Sequence, residues 1–186
     1  FPLSQIYSLE VGAILLYSWI KVQGLTSHGQ LQSKTIEFNS ISYPHFNPLL
    51  KQIRRVPVVG IKKAREAEKF NCLASSSYKF MNYGRKSLLG DEKVMKILWE
   101  PEIRDRFFSK LDIPITRLKS YSHLCILTDK EIILIREDDL THSIKGAHYG
   151  GIWQFIARAN LASLKIQESD GSRQKSNECD VPHELS

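Results

Sequence analysis

Cysteine is scarce in this chain of 186 residues. There are three, Cys72, Cys125 and Cys179, far apart and odd in number. No Cys-x-x-Cys pair exists, so neither a zinc ribbon nor a disulfide framework is supported, and the usage fits a reducing compartment. Histidines occur at positions 28, 45, 123, 142, 148 and 183, with no HExxH spacing and no His/Cys/Asp cluster at ligand distance. His142 and His148 share a polar stretch, where solvated side chains are commoner than a metal pair. Long apolar runs are missing too. The most apolar one, residues 11–20, is shorter than the ~20 residues that span a bilayer. It follows Glu10 without a basic segment ahead of it, so it does not read as a secretory leader. Tyr149-Gly150-Gly151 has two glycines but no strand-to-helix context for a phosphate loop, and reads as a turn. With no nucleophile, base and pocket in view, the expectation is a protein that is not an enzyme and has no cofactor or metal. The first residue is Phe1 rather than Met, as expected of a fragment.

What is present is ordinary for a globular chain: 42% hydrophobic and 25% charged residues, with length for one domain or two small ones. The net charge of +6 suits nucleic acid, acidic lipid headgroups or an acidic protein face, although solubility charge is the commoner meaning. The cations cluster. Lys51, Arg54, Arg55, Lys62, Lys63 and Arg65 place six positive charges within fifteen residues, with no acid among them. Such a run can meet phosphates on lipid or nucleic acid. A helix end satisfied by its own dipole, followed by a solvated linker, explains it equally simply. Lys79, Arg85 and Lys86 interleave with Tyr78, Phe80 and Tyr83, a superficial likeness to a nucleic-acid surface. Helical spacing puts Phe80 on the packing stripe instead. The paired acids Asp138/Asp139 and Glu100/Glu102 have no partner base and read as surface charge.

The clearest element is a β-hairpin. Residues 124–127 and 132–135 are short runs rich in Leu and Ile, separated by Thr128-Asp129-Lys130-Glu131. The second run is continuous rather than alternating, which predicts cover on both faces. Residues 1–11 and 13–22 predict two strands punctuated by Gly12, and residues 34–38 a third, with a loop over 26–30. Asn39 and Ser40 can end that strand and cap an amphipathic helix carrying Phe46, Leu49, Leu50 and Ile53, with Pro48 near its first turn and Pro57 as its stop. Residues 61–89 predict a second helical segment, with Phe70, Leu73, Phe80, Gly84 and Leu88 on one stripe and a break at Ser75-Ser76-Ser77. Residues 94–99 predict a strand, 103–111 a short helix, and 151–156 and 160–166 the last strands. Trp19, Trp99 and Trp153 each fall in a strand and are expected in the core. Nothing apolar recurs after 169, so a disordered tail is expected.

A weak repeat joins the ends. Residues 1–11 align with 156–166: Ile6 with Leu161, Ser8 with Ser163, Leu9 with Leu164 and Val11 with Ile166, with amides at Gln5 and Asn160. The Leu-Thr-Asp-Lys-Glu turn, the Trp153-Gln154-Phe155-Ile156 strand and the Leu161-Ala-Ser-Leu-Lys-Ile166 strand resemble the first part of a bacterial pleckstrin-homology-like domain. In that family an Ile-Pro-Leu element usually follows. Ala157 stands here where Pro is usual, and Phe1-Pro2-Leu3-Ser4-Gln5-Ile6 fits the element better.

The resemblance covers about two thirds of the chain and implies an α+β fold of antiparallel sheets forming a partial barrel, with an amphipathic capping helix and a helical linker. It implies a closing part of one such domain over residues 1–57, a linker over 58–91, an opening part of a second over 92–168, and the tail 169–186. Alternatively the two parts complement one another in a single sheet of permuted order. The function implied is a non-enzymatic binding or scaffolding module for a protein partner or an anionic membrane surface, cytoplasmic and peripheral at the inner face of the membrane. Binding of nucleic acid through residues 51–65 is the alternative, and clipped sheet edges would favour homo-oligomers.

Overall fold

The computed structural model describes residues 2–54, 63–108, 114–139, 150–161 and 177–179. The fold is α+β and its sheet pairs are antiparallel. The first strands are β1 (Ile6–Ile14), β2 (Tyr17–Leu25) and β3 (Leu31–Asn39). The helices α1 (Tyr43–Ile53), α2 (Lys63–Glu68) and α3 (Tyr78–Ser87) follow. Then come β4 (Val94–Glu100), β5 (Ile103–Phe108), β6 (Pro114–Ser120), β7 (His123–Thr128), β8 (Glu131–Arg136), β9 (Gly151–Ala157) and β10 (Asn177–Cys179). One sheet runs in the order β10-β4-β7-β8-β9-β1-β2-β3, and β5-β6 is a separate ribbon.

The turn chemistry between β7 and β8 explains its sequence. The buried Thr128 hydroxyl accepts the Lys130 and Glu131 N–H groups at 3.2 and 2.9 Å. Asp129 accepts the Lys93 N–H at 2.8 Å and donates its own N–H to the Lys93 carbonyl at 3.0 Å. A short hydroxyl and a short carboxylate thereby satisfy the backbone that a tight turn leaves open.

Strand β1 is the seam of the sheet. It pairs with β2 on one side, and on the other with β9, where Leu9 faces Phe155 and Val11 faces Trp153. Residues from the beginning and the end of the chain thus share one sheet. Leu9, Val11, Ile20, Leu124, Ile126, Ile133 and Ile135 form one core with Phe70, Leu73, Phe80 and Leu50 from the helical side. The helical segment expected as a linker packs into that core: Phe70 and Leu73 are fully buried. Its break falls where the serines are, and the Ser77 hydroxyl caps α3 by accepting the Phe80 N–H at 3.4 Å. The two repeat stretches share a local shape. Leu3–Gln5 and Arg158–Asn160 are both single 3-10 turns, each followed by an extended residue whose N–H returns to the turn's first carbonyl.

Several expectations are corrected. Gly12 does not divide two strands; it lies inside β1, where a Cβ would stand 2.2 Å from the Trp19 ring. The turn is at Leu15 and Leu16, with Leu15 at φ 54°. Residues 103–108 are strand, not helix. Ile103 and Phe107 fit both periods, and the following strand β6, unassigned from sequence, supplies the pairing partner. α1 begins at Tyr43, so Pro44 takes the first turn and Pro48 lies inside the helix. The β8 run is buried only on alternate residues. Within the expected tail, residues 177–179 pair with β4, because an open strand edge offers backbone bonds whatever the side chains are. Cys72 is disulfide-bonded, against the expectation of unpaired thiols; Cys125 is free. The stop at Pro57, strand residues 162–166 and the remainder of the tail lie outside the described residues.

Gly150 has φ +76°, and a Cβ there would lie 2.0 Å from the Ala13 carbonyl oxygen. A Gly150→Ala substitution is expected to destabilise the fold by about 1–3 kcal/mol. Urea unfolding measures it; an unchanged midpoint contradicts the close approach of this turn to β1.

Candidate functional site

Of the six clustered cations, the structure describes the side chains of Lys51, Arg54 and Arg65. Lys51 is exposed on α1 and Arg65 is exposed on α2. Arg55 and Lys62, and the side chain of Lys63, lie outside the described residues. Arg54, at the end of α1, turns inward. Its guanidinium pairs with Glu131 and donates to the Ser87 carbonyl at 2.6 Å. It also stacks 3.8 Å over the Phe155 ring. One side chain therefore fastens α1 to the β7-β8 turn, to the end of α3 and to β9. Sequence spacing placed Arg54 among solvated cations because its partner is 77 residues away.

The carboxylate it meets is unusual. Burial pushes the Glu131 carboxyl up to about 7, against the pull of Arg54 and with a further push from Glu92. Glu92 is fully buried and accepts the Leu89 N–H at 2.9 Å. Its other oxygen takes a hydrogen bond from the Thr128 hydroxyl. These groups hold the helices onto the sheet.

Because the clasp holds α1 by its C-terminal end, a cleft of about 1160 Å³ remains along the helix. Its floor is Leu9, Val11, Trp153 and Phe155, and its walls are α1 and the end of α3. Among the described residues the lining includes Lys51, Arg54 and Lys86 and no carboxylate. Lys86 follows Tyr83, whose phenol is raised by burial and by Glu137. Pro44, Asn47, Pro48 and Lys51 from α1 all reach the cleft, the spacing of one helix face.

Leu15 borders the cleft at its other end. Leu15 and Leu16 form the tip of the β1-β2 hairpin and are 70% and 64% exposed. Ser40 donates its N–H to the Leu16 carbonyl at 2.9 Å, which brings Ile41, 76% exposed, beside the tip. A leucine at positive φ is costly, and exposed leucines at a turn gain nothing from water. Three exposed bulky apolar residues thus lie near one another in the fold at this end of the sheet. The signal was in the sequence: Leu15-Leu16 lies where a two-residue turn calls for Gly or Asn. It was read as strand because the run from 11 to 20 is apolar throughout.

The remaining titratable candidates are occupied locally. Lys79 pairs with Glu137, His123 with Glu100, and Arg104 with Glu102. Tyr121 donates to Asp139, which pushes its phenol up to about 12. Among the described residues no group of three His, Cys, Asp or Glu side chains is arranged to hold a metal ion. Among them, too, no helix is long and apolar enough to cross a membrane. His142 and His148 lie outside the described residues.

The Glu131 shift sets a sign. A carboxyl raised in the folded state contributes stability that is full below its unfolded pKa and lost as pH rises through about 7. The wild type is expected to gain thermal stability relative to Glu131→Gln as pH falls from 8 to 5. Melting curves of the two across that range check it, and a difference that does not vary with pH contradicts it. Comparison of the chain with protein-family models, curated proteins and solved structures finds no match, so its function is read from this geometry.

Proposed function

We propose that this chain is a non-enzymatic binding module of pleckstrin-homology-like type that docks on an anionic membrane surface. The observation that carries the reading is the apolar tip of Leu15, Leu16 and Ile41, exposed at the end of the sheet. Moving such side chains from water into the acyl region of a bilayer lowers the free energy. Lys51 and Lys86 supply the complementary charge for headgroups. From Tyr43, next to the tip, α1 rises about 12 Å to Lys51. That is of the order of the distance between a shallowly inserted side chain and the headgroup layer. The sequence likeness of the Leu127-Thr128-Asp129 turn and of Phe1-Pro2-Leu3-Ser4-Gln5-Ile6 to the family's elements supports the fold assignment.

The binding test is co-sedimentation with vesicles of phosphatidylserine and phosphatidylcholine against phosphatidylcholine alone. Binding to the anionic vesicles is expected to weaken with salt, since headgroup attraction is screened. A Leu15→Ser, Leu16→Ser variant is expected to bind at least ~10-fold more weakly, because two leucines no longer leave water. Unchanged binding by that variant, or none to anionic vesicles at low salt, overturns the reading. Duplex binding that falls steeply with salt and is lost in a Lys62→Ala, Lys63→Ala, Arg65→Ala variant would favour the nucleic-acid alternative.

A further inference from the structure

We infer that the cleft between α1 and the sheet is a site for a single-chain anionic lipid, its acyl chain on the apolar floor and its headgroup at Lys51 and Lys86. The inference rests on the membrane reading for the source of the ligand but not for the site itself. The lining is segregated in the manner of an amphiphile. Leu9, Val11, Trp153 and Phe155 present hydrocarbon and aromatic surface. The serine hydroxyls of the lining are already engaged: Ser18 with Ser40 at 2.8 Å, and Ser87 with the Tyr83 carbonyl at 2.7 Å. A bound peptide would bring backbone N–H and C=O groups that this floor cannot satisfy, at a cost for each one buried. An acyl chain brings none.

Charge decides the headgroup. Among the described residues the cleft lining has three cations and no carboxylate. Arg54 is committed to Glu131. Lys51 and Lys86 are exposed and enter no ion pair among the described residues. A carboxylate or phosphate monoester is the head that complements them. The volume, about 1160 Å³, is ample, since ligand pockets of ~300–1,000 Å³ enclose drug-sized molecules. The orientation also agrees with docking. With Leu15 and Leu16 in the acyl region, a chain lying from Lys51 toward Leu15 keeps its head at headgroup level and its tail toward the bilayer. No lipid has to invert to enter.

The probe is stearate carrying a nitroxide on its chain, added below its micelle concentration to the full chain without vesicles. Quenching of tryptophan fluorescence reports binding, since the Trp153 indole lines the cleft. Saturable quenching by the acid is expected, at least tenfold tighter than by its methyl ester. It should be displaced by unlabelled lysophosphatidate and not by inorganic phosphate. A Lys51→Glu, Lys86→Glu variant, checked for an unchanged circular dichroism spectrum, should lose tenfold or more of the acid's affinity and none of the ester's. An Asn47→Trp variant, which fills the mouth from α1, should weaken both ligands. Equal binding of acid and ester, or no response to the charge reversal, overturns the anionic-head assignment. Absence of saturable quenching overturns the site. Vesicle binding without stearate binding would overturn this inference and leave the membrane reading standing. Stearate binding without vesicle binding would do the reverse.

Discussion

The hydrogen-bonded ladder between β1 and β9 is what the rest of the molecule depends on. Residues 8–13 and 151–156 align partner for partner, and without them the early strands and the late strands would be two open sheets. An isolated hairpin is marginal in water, and a small sheet needs an apolar face that is covered. Joined, the two sets bury Leu9, Val11, Ile133, Ile135 and Phe155 in a common core. The same ladder fixes where α1 lies, because α1 follows β3 and must fold back over the strands β1 and β9 to reach Glu131.

From that placement the two functional features arise together. The helix is fastened strongly at its C-terminal end by Arg54 and at its other end by Phe38, whose ring lies 4.3 Å from Phe46. Between these anchors Leu50 joins the core, and the cleft runs beside it along the face of Pro44, Asn47, Pro48 and Lys51. The hairpin that carries β1 into β2 ends where α1 begins, so its leucine tip and the mouth of the cleft are neighbours. A strained backbone at Leu15 and two leucines in water are unfavourable for folding, and this cost is what the proposed membrane docking would offset.

Much of the fold was legible in the sequence where a local rule acts alone. The β7-β8 hairpin, β4 with its stop at Pro101 and the serine break before α3 each depend on residues within a few positions of one another, whereas Asn39, expected to cap α1, caps the short 3-10 turn Ser40–Ser42 ahead of it. What failed was settled by distant partners. Residues 103–108 became strand because 114–120 pair with them, and Gly12 stayed in a strand because Trp19 covers it. Arg54 left the expected cationic patch for a carboxylate beyond reach of any local pattern. The cleft was invisible for the same reason: its floor comes from both ends of the chain and its walls from the middle. The leucine tip was written in the sequence, yet an unbroken apolar run hides a turn.

The most direct measurement is the environment of the tip at a membrane. An environment-sensitive fluorophore attached at Leu16→Cys in a Cys125→Ala background should shift to the blue and rise in intensity on adding phosphatidylserine vesicles. The same fluorophore at Thr35→Cys, on the exposed outer strand β3, should not respond. Equal responses at the two positions, or none at Leu16, would contradict an apolar tip that enters the bilayer.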